Sequence, residues 1–462
     1  MKRYEAYKST GLKWFPEIPN GWEWRFLCQV AQEQIIKKPS GEMYPVMTLS
    51  YGEIKRKKNI DSGLVPSNYD NYQMLYKGNI VLRLIDLQND HTSLRTGLVK
   101  ETGIITSAYT CIAPLENASY IRYLLHSYDT RKVFYGYGGG VRQSIGFKDI
   151  RHLQVPVPPR AEQDQIVRYL DWQVSKINRL IAAKRKQIDL LKEQKQRKIT
   201  SIVTKGLNPI VPLKNTRIAW IGSIPAHWNC IPLKRCAKVK SGITLGKQYP
   251  VGTNLIEVSY LRVANVQNGF VDTNTVTTLK VTPEEATQYE LQSGCVLMTE
   301  GGDRDKLGRG CVWNGEIEHC IHQNHIFAVM VDDKLLQNKW LEYVTACDIG
   351  RIYFDITAIK TTNLACTNVT KVMAFLIPLP PRDEQERITN ELNRITCMFN
   401  DAQISLEKQI ECLQELRARL ISDVVTGQVD VLGIKVLDFE YINEADATDE
   451  QGDKEMGEEV DG

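Results

Sequence analysis

Apolar positions along this chain follow two rhythms, one helical and one strand-like. Leu170, Val174, Ile177, Ile181, Lys184, Ile188 and Leu191 recur at alternating steps of four and three, a heptad seam with one polar interruption. The spacing returns in Leu392, Thr396, Phe399, Gln403, Leu406, Ile410 and Leu413, with Thr396 and Gln403 as the polar breaks. Both stretches follow a Pro-Pro pair, which ends a strand and can open a helix, and Glu162 or Glu384 suits the first turn. The pattern predicts helices over about 161–204 and 383–425, the first roughly 66 Å long at 1.5 Å per residue. Helices of this length have no compact core to enter, so they are expected to pair with each other. Between them, turn glycines open short buried strands, as in Tyr76-Lys-Gly-Asn-Ile-Val-Leu82 and Leu291-Gln-Ser-Gly-Cys-Val-Leu297.

These rhythms belong to a duplication. Val155-Pro-Val-Pro-Pro-Arg-Ala-Glu-Gln163 returns as Ile377-Pro-Leu-Pro-Pro-Arg-Asp-Glu-Gln385, and Trp14-Phe-Pro-Glu-Ile-Pro-Asn-Gly-Trp22 as Trp220-Ile-Gly-Ser-Ile-Pro-Ala-His-Trp228. The first offset is 222 residues and the second 206, so the second copy is 16 residues longer between its landmarks. Each copy reads as a strand-rich globular part followed by a long helix. Just before each Pro-Pro signal comes a polar loop, Gly138–Ser144 in the first copy and Lys360–Asn363 in the second, in the same place but with different residues.

Composition narrows the function classes. With 42% hydrophobic and 24% charged residues the chain is an ordinary globular protein. No apolar run approaches the ~20 residues of a membrane span, and the opening residues lack a signal-peptide core, so a cytoplasmic protein with no membrane partner is expected. The 11 cysteines form no CxxC pair, which speaks for reduced thiols. The net charge of +3 conceals an asymmetry: residues 438–462 hold eleven Asp/Glu and one Lys, leaving 57 basic against 44 acidic residues in the rest. A basic body with an acidic, disordered tail suits a polyanionic partner, or is simply a solubilised, mildly basic protein.

Taken together, the duplicated Pro-Val/Leu-Pro-Pro-Arg-x-Glu-Gln strings, the two heptad helices and the Trp…Ile-Pro…Trp openings resemble the DNA-specificity subunits of type I restriction–modification systems. Tyr260-Leu-Arg262-Val-Ala-Asn265-Val and Glu300-Gly-Gly-Asp-Arg304-Asp-Lys306-Leu-Gly-Arg309 also look like the second target-recognition domain of many members. The resemblance covers nearly the whole chain except the acidic tail. It implies an α+β fold with two strand-rich target-recognition domains separated by a pair of long antiparallel coiled-coil helices. The expected division is 1–157 for the first domain, 158–206 for the first spacer helix, 207–379 for the second domain, 380–430 for the second helix and 431–462 for the tail. It further implies that each domain reads half of a split, asymmetric site in double-stranded DNA. Two methyltransferase (modification) subunits and two restriction subunits with translocase and nuclease activity would complete the complex. S-adenosylmethionine, ATP and magnesium belong to those partners, with no cofactor expected in this chain.

Candidate contacts follow from charge and loop chemistry. Lys55, Arg56, Lys57 and Lys58 are consecutive bases that repel one another unless solvated or opposed by phosphates. Arg142, Gln143 and Ser144 follow three glycines that let a backbone approach a ligand closely; Arg pairs with guanine and Gln with adenine. In the second domain the candidates are Arg262, Asn265, Arg304, Lys306, Arg309, Lys360, Thr361, Thr362 and Asn363, against the alternative of salt-bridged or packing turns. The helix-pair seam is expected at Leu170, Val174, Ile177, Ile181, Ile188, Leu191, Leu392, Phe399, Leu406, Ile410 and Leu413.

No catalytic or metal site is expected. Gly242-Ile-Thr-Leu-Gly-Lys247 is one residue short of a phosphate loop, and Glu53-Ile-Lys55 lacks a placed acidic partner for nuclease chemistry. Cys320-Ile-His322-Gln-Asn-His325 reads as strand alternation more simply than as zinc ligands. Two other classes remain in view: a stand-alone methyltransferase or nuclease with a duplicated reader, and a coiled-coil adaptor that touches no nucleic acid.

Overall fold

The computed structural model describes residues 2–12, 14–57, 69, 71–85, 87, 94–137, 144–302, 307–360 and 365–443. The chain divides into two compact units, residues 1–187 with 405–462, and residues 188–404. Each unit therefore contains part of each long helix. The first long helix is Arg160–Lys205 and the second Arg382–Val425. Both carry i,i+4 ion pairs on their outer faces, among them Arg160–Asp164, Glu193–Arg197 and Asp383–Arg387. Both stop at a left-handed glycine, Gly206 (φ 71°) and Gly427 (φ 74°), the conformation that closes a helix C-terminus at no Cβ cost.

In the first unit the heptad stripe is buried at Leu170, Val174, Ile177, Ile181 and Ile410, while Leu406 and Leu413 are half-buried. Polar residues mark the register. The Arg417 guanidinium donates to Asn178 Oδ1 (2.7 Å), and Lys184, the break in the seam, donates to Gln409. In the second unit Ile188 and Leu392 are buried, with Leu191 and Phe399 half-buried, and Lys195 donates to Asn400 Oδ1 at 2.8 Å. In the first unit partners descend the second helix as they ascend the first, so the pairing there is antiparallel. Thr396, a break in the second stripe, is turned to Tyr343 Oη (3.3 Å).

The recognition part of the first unit is built on a six-stranded sheet. Its order is Ala31–Glu33, Thr110–Pro114, Ile80–Leu82, Thr96–Leu98, Glu53–Arg56, Met47–Ser50. Leu75, Val81, Val99, Ile105 and Cys111 form its core, and the helix Ala118–Thr130 packs beside it. The second unit has a four-stranded sheet, Ala237–Ser241, Ile326–Val331, Val296–Thr299, Gly310–Val312, and a three-stranded one around Ile256–Leu261. Two small sheets recur in both units. The opening hairpin pairs Tyr7–Ser9 with Glu17–Pro19, and Leu213–Asn215 with Ser223–Pro225. The strand before each Pro-Pro pairs with the one after the second Trp: Gln154–Val157 with Glu23–Phe26, and Leu376–Leu379 with Asn229–Pro232.

The repeated sequence strings meet at joints in space. Glu162 accepts from Trp22 Nε1 (2.9 Å), and Glu384 accepts from Trp228 Nε1 (3.1 Å). Gln163 bonds back to the Pro158 carbonyl, as Gln385 does to that of Pro380, each at 2.9 Å. Buried polar side chains are kept this way because each finds a partner. Both Trp rings are fully buried.

Candidate nucleic-acid interface

In the first unit, Met47–Ser50 and Glu53–Arg56 form a hairpin closed by Tyr51 (φ 47°) and Gly52 (φ 74°), both in the left-handed region that a two-residue turn requires. Gly97 lies on the neighbouring strand; a Cβ there would sit 2.6 Å from Leu49 Cδ1 and 2.9 Å from Ile54 Cδ1, so those side-chain ends would have to shift. Glu53 and Ile54 point inward, and Lys55, Arg56 and Lys57 are exposed. Lys58 lies outside the described residues. Arg56 makes a bidentate pair with Glu101 (2.7 and 2.6 Å), which holds the Glu101 carboxyl below the usual carboxylate range. A planar carboxylate thus occupies the fork that would face a phosphate. Glu53 is buried between Lys100 (2.9 Å) and Arg122 (3.9 Å), an internal ion-pair arrangement and no half of a nuclease motif.

Of the glycine loop, Ser144 is exposed, while Arg142 and Gln143 lie outside the described residues. The chain leaving that loop is fastened by Ile145 N donating to Leu84 O (2.9 Å). Leu84 itself stands where the chain leaves the sheet strand Ile80–Leu82. The neighbouring return at Arg95 is tied by its guanidinium to the carbonyls of Arg83 (3.0 Å) and Ile85 (2.8 Å).

The second unit repeats that fastening. Thr367 N donates to Glu300 O (2.8 Å), and Glu300 stands where the chain leaves Val296–Thr299. Here the arrangement is reinforced by a small sheet in the order Gly301–Gly302, Ala365–Cys366, Ile359–Lys360. Gly302 and Lys360 are both level with Ala365, so segments 303–306 and 361–364 spring from the same end of one sheet. Arg304, Lys306, Thr361, Thr362 and Asn363 lie in those segments, outside the described residues; Lys360 is described only in its backbone. Arg309 is half-buried on the return, and its carbonyl accepts from Thr299 N (3.2 Å).

Arg262 and Asn265 differ in kind. Arg262 is exposed, its Nη2 donating to Thr275 O (3.0 Å). Asn265 is fully buried: Oδ1 accepts from Arg262 N (2.8 Å), and Nδ2 donates to Asp272 O and Thr275 Oγ1, each 3.0 Å. With its amide committed inside the turn, Asn265 holds Arg262 in place and offers nothing to a base edge, which corrects the expectation of direct contact. His322 is buried and held neutral, its pKa lowered to about 4 by desolvation, and His325 pairs with Glu300 (2.5 Å). Among the described residues no cluster of His, Cys, Asp or Glu is placed to hold a metal, and no helix is long and apolar enough to cross a membrane.

Residues 28–190 match the family model for the type I restriction modification DNA specificity domain. Over those residues the chain is similar to that family. It is 24% identical over 297 residues to the type I restriction enzyme MjaVIII specificity subunit of Methanocaldococcus jannaschii, covering 62% of this chain and 64% of that protein. It is 22% identical over 222 residues to the putative MjaX specificity subunit of the same organism, 47% of this chain and 49% of that one. The chain thus spans about half to under two-thirds of the length of these curated relatives. A solved structure described as the basis of complex assembly and conformational transition of the type I R-M system covers 89% of the chain and 99% of its own length. Its TM-score of 0.63 at 16% identity shows a shared fold. The joints that sequence reading missed, Trp22–Glu162 and Trp228–Glu384, were signalled by the repeated strings themselves.

Proposed function

We propose that this chain is a cytoplasmic, non-catalytic reader of double-stranded DNA that recognises a split, asymmetric site. In this reading it directs two methyltransferase subunits and two restriction subunits, which hold S-adenosylmethionine, ATP and magnesium. Residues 1–157 and 207–379 act as the two readers, 158–206 and 380–430 as the spacer helices, and 431–462 as the tail. What carries the reading is the duplicated fastening of unlike loops: Ile145 to Leu84 in one unit and Thr367 to Glu300 in the other hold different residues on equivalent strands. A reader needs this combination, because phosphate contacts set register while loop side chains at base edges set sequence. The candidates for contact are Lys55, Arg56, Lys57 and Lys58, then Arg142, Gln143 and Ser144. In the second reader they are Arg262, Arg304, Lys306, Arg309, Lys360, Thr361, Thr362 and Asn363.

The test is a domain exchange in cells that also supply the methyltransferase. Replacing residues 210–376 by the equivalent domain of a relative is expected to change one half of the methylated sequence only. Inserting two helical turns near Lys192, with a matching insertion in the second helix, is expected to change the spacer and leave both halves intact. A single exchange that rewrites both halves would overturn the modular reading.

A further inference from the structure

The first unit carries a feature that has no counterpart among the described residues of the second. After the second long helix the chain turns back along the first: Gln165 Nε2 donates to Val431 O (3.0 Å) and Ile434 O (2.8 Å). Further on, Ile442 N donates to Ser175 Oγ (3.1 Å), and Ile442 O accepts from Asn178 Nδ2 (2.9 Å). Ser175 and Asn178 are buried beneath this strap, and Glu440 pairs with Arg179 at 3.5 Å. The positions matching Ser175 and Asn178 in the second unit, Cys397 and Asn400, are exposed.

The strap ends beside the basic hairpin. Lys100 Nζ lies 5.2 Å over the Tyr441 ring and 2.9 Å from Glu53, the first residue of the strand that carries Lys55 and Arg56. The next residue, Glu101, already places a carboxylate on Arg56. Beyond Asn443 the sequence continues for 19 residues with nine Asp/Glu and one Lys. At most ~3.3–3.6 Å per residue, that length reaches the whole hairpin edge from its tether. Tethering also makes the encounter intramolecular, at an effective concentration of order millimolar.

We propose that the acidic segment 444–462 competes with DNA phosphates for the Lys55–Lys57 edge of the first unit, so that DNA must displace it. The charges are complementary, the tether is docked next to that edge, and a carboxylate on Arg56 shows which chemistry the edge accepts. The consequence is selective: a competitor that mimics only the phosphate chain weakens binding to any duplex, and sites with base contacts retain the advantage. This inference rests on the DNA-reading function proposed above.

The experiment compares the full chain with two variants, one ending at Asn443 and one with the nine tail carboxylates changed to Asn and Gln at unchanged length. Binding to a random-sequence duplex is measured across a salt series. Both variants are expected to bind about tenfold more tightly near 50 mM salt, with the gap closing as salt screens the tail. The Lys55→Gln, Lys57→Gln pair, added to the truncation, is expected to abolish the gain. Equal binding by all three tail forms overturns the competition. Release by truncation but not by neutralisation overturns its electrostatic basis. If no form binds duplex DNA at any salt, the DNA-reading function itself falls, and this inference with it.

Discussion

The two units share their joints and differ in what the joints present. In both, a buried Trp donates to the glutamate that opens a long helix, and a glutamine folds back on the Pro-Pro carbonyl. In the first unit the exposed chemistry is a basic hairpin on a six-stranded sheet, bordered by the strap from the second helix. In the second, Gly302 and Lys360 both lie level with Ala365 in a three-stranded sheet, and Cys397 and Asn400, which match Ser175 and Asn178, are exposed. The lesson is that duplication preserved the places where helix meets reader, while the presenting surface was free to change. A joint tolerates little variation because it buries polar atoms that must find partners; an exposed loop carries no such constraint.

Breaking the helix seam should have the largest effect and should strike both units alike. Val174→Asp in the first unit and Leu392→Asp in the second each place a carboxylate at a buried seam position. Each is expected to cost about 4 kcal/mol or more, read as a fall in thermal and denaturant midpoints. Near-wild-type stability for either variant would mean that its half of the seam is not a core.

The joints themselves distinguish the units more finely. Trp22→Phe and Trp228→Phe keep the ring volume roughly and remove one donor to a carboxylate, for which about 1.5–3 kcal/mol is the ordinary scale. Glu162 is 8% exposed and also accepts from Tyr4 Oη, whereas the Glu384 side chain is 21% exposed and also bonds His227. The loss is therefore expected to be larger for Trp22→Phe in urea unfolding. Equal losses would show that solvent does not compensate at the second joint.

Among the described residues each unit also buries one histidine, and here the expected difference is small. Desolvation lowers His126 to about 3 and His322 to about 4, from an ordinary 6.5. A lowered histidine binds its proton in the unfolded chain first, so stability is full above pH 6.5 and falls as pH drops below it. Each group should contribute up to about 1.4 kcal/mol of loss per pH unit, continuing to about pH 3 for His126 and about pH 4 for His322. His126→Phe and His322→Phe are each expected to flatten the slope of stability against pH between 6 and 5. An unaltered slope would mean that the imidazole is protonated in the folded protein.

The amino-acid sequence by itself determined the two long helices and their seam, and its repeated strings marked where the joints would form without naming the bonds in them. A heptad is a local geometric property, since residues three and four apart share a helix face whatever surrounds them. Repeated strings likewise point to one structural solution used twice. Tertiary structure alone decided that segments 303–306 and 361–364 spring from one sheet, because Gly302 and Ala365 are paired across 63 residues and no local signal names a strand's partner. It alone turned Asn265 from a candidate contact into the clamp of a turn, since burial depends on which chain segments close over a side chain. The strap shows the same limit: Asn178 is an ordinary polar residue of a long helix until Ile442 and Arg417, each more than two hundred residues away, arrive to satisfy its amide.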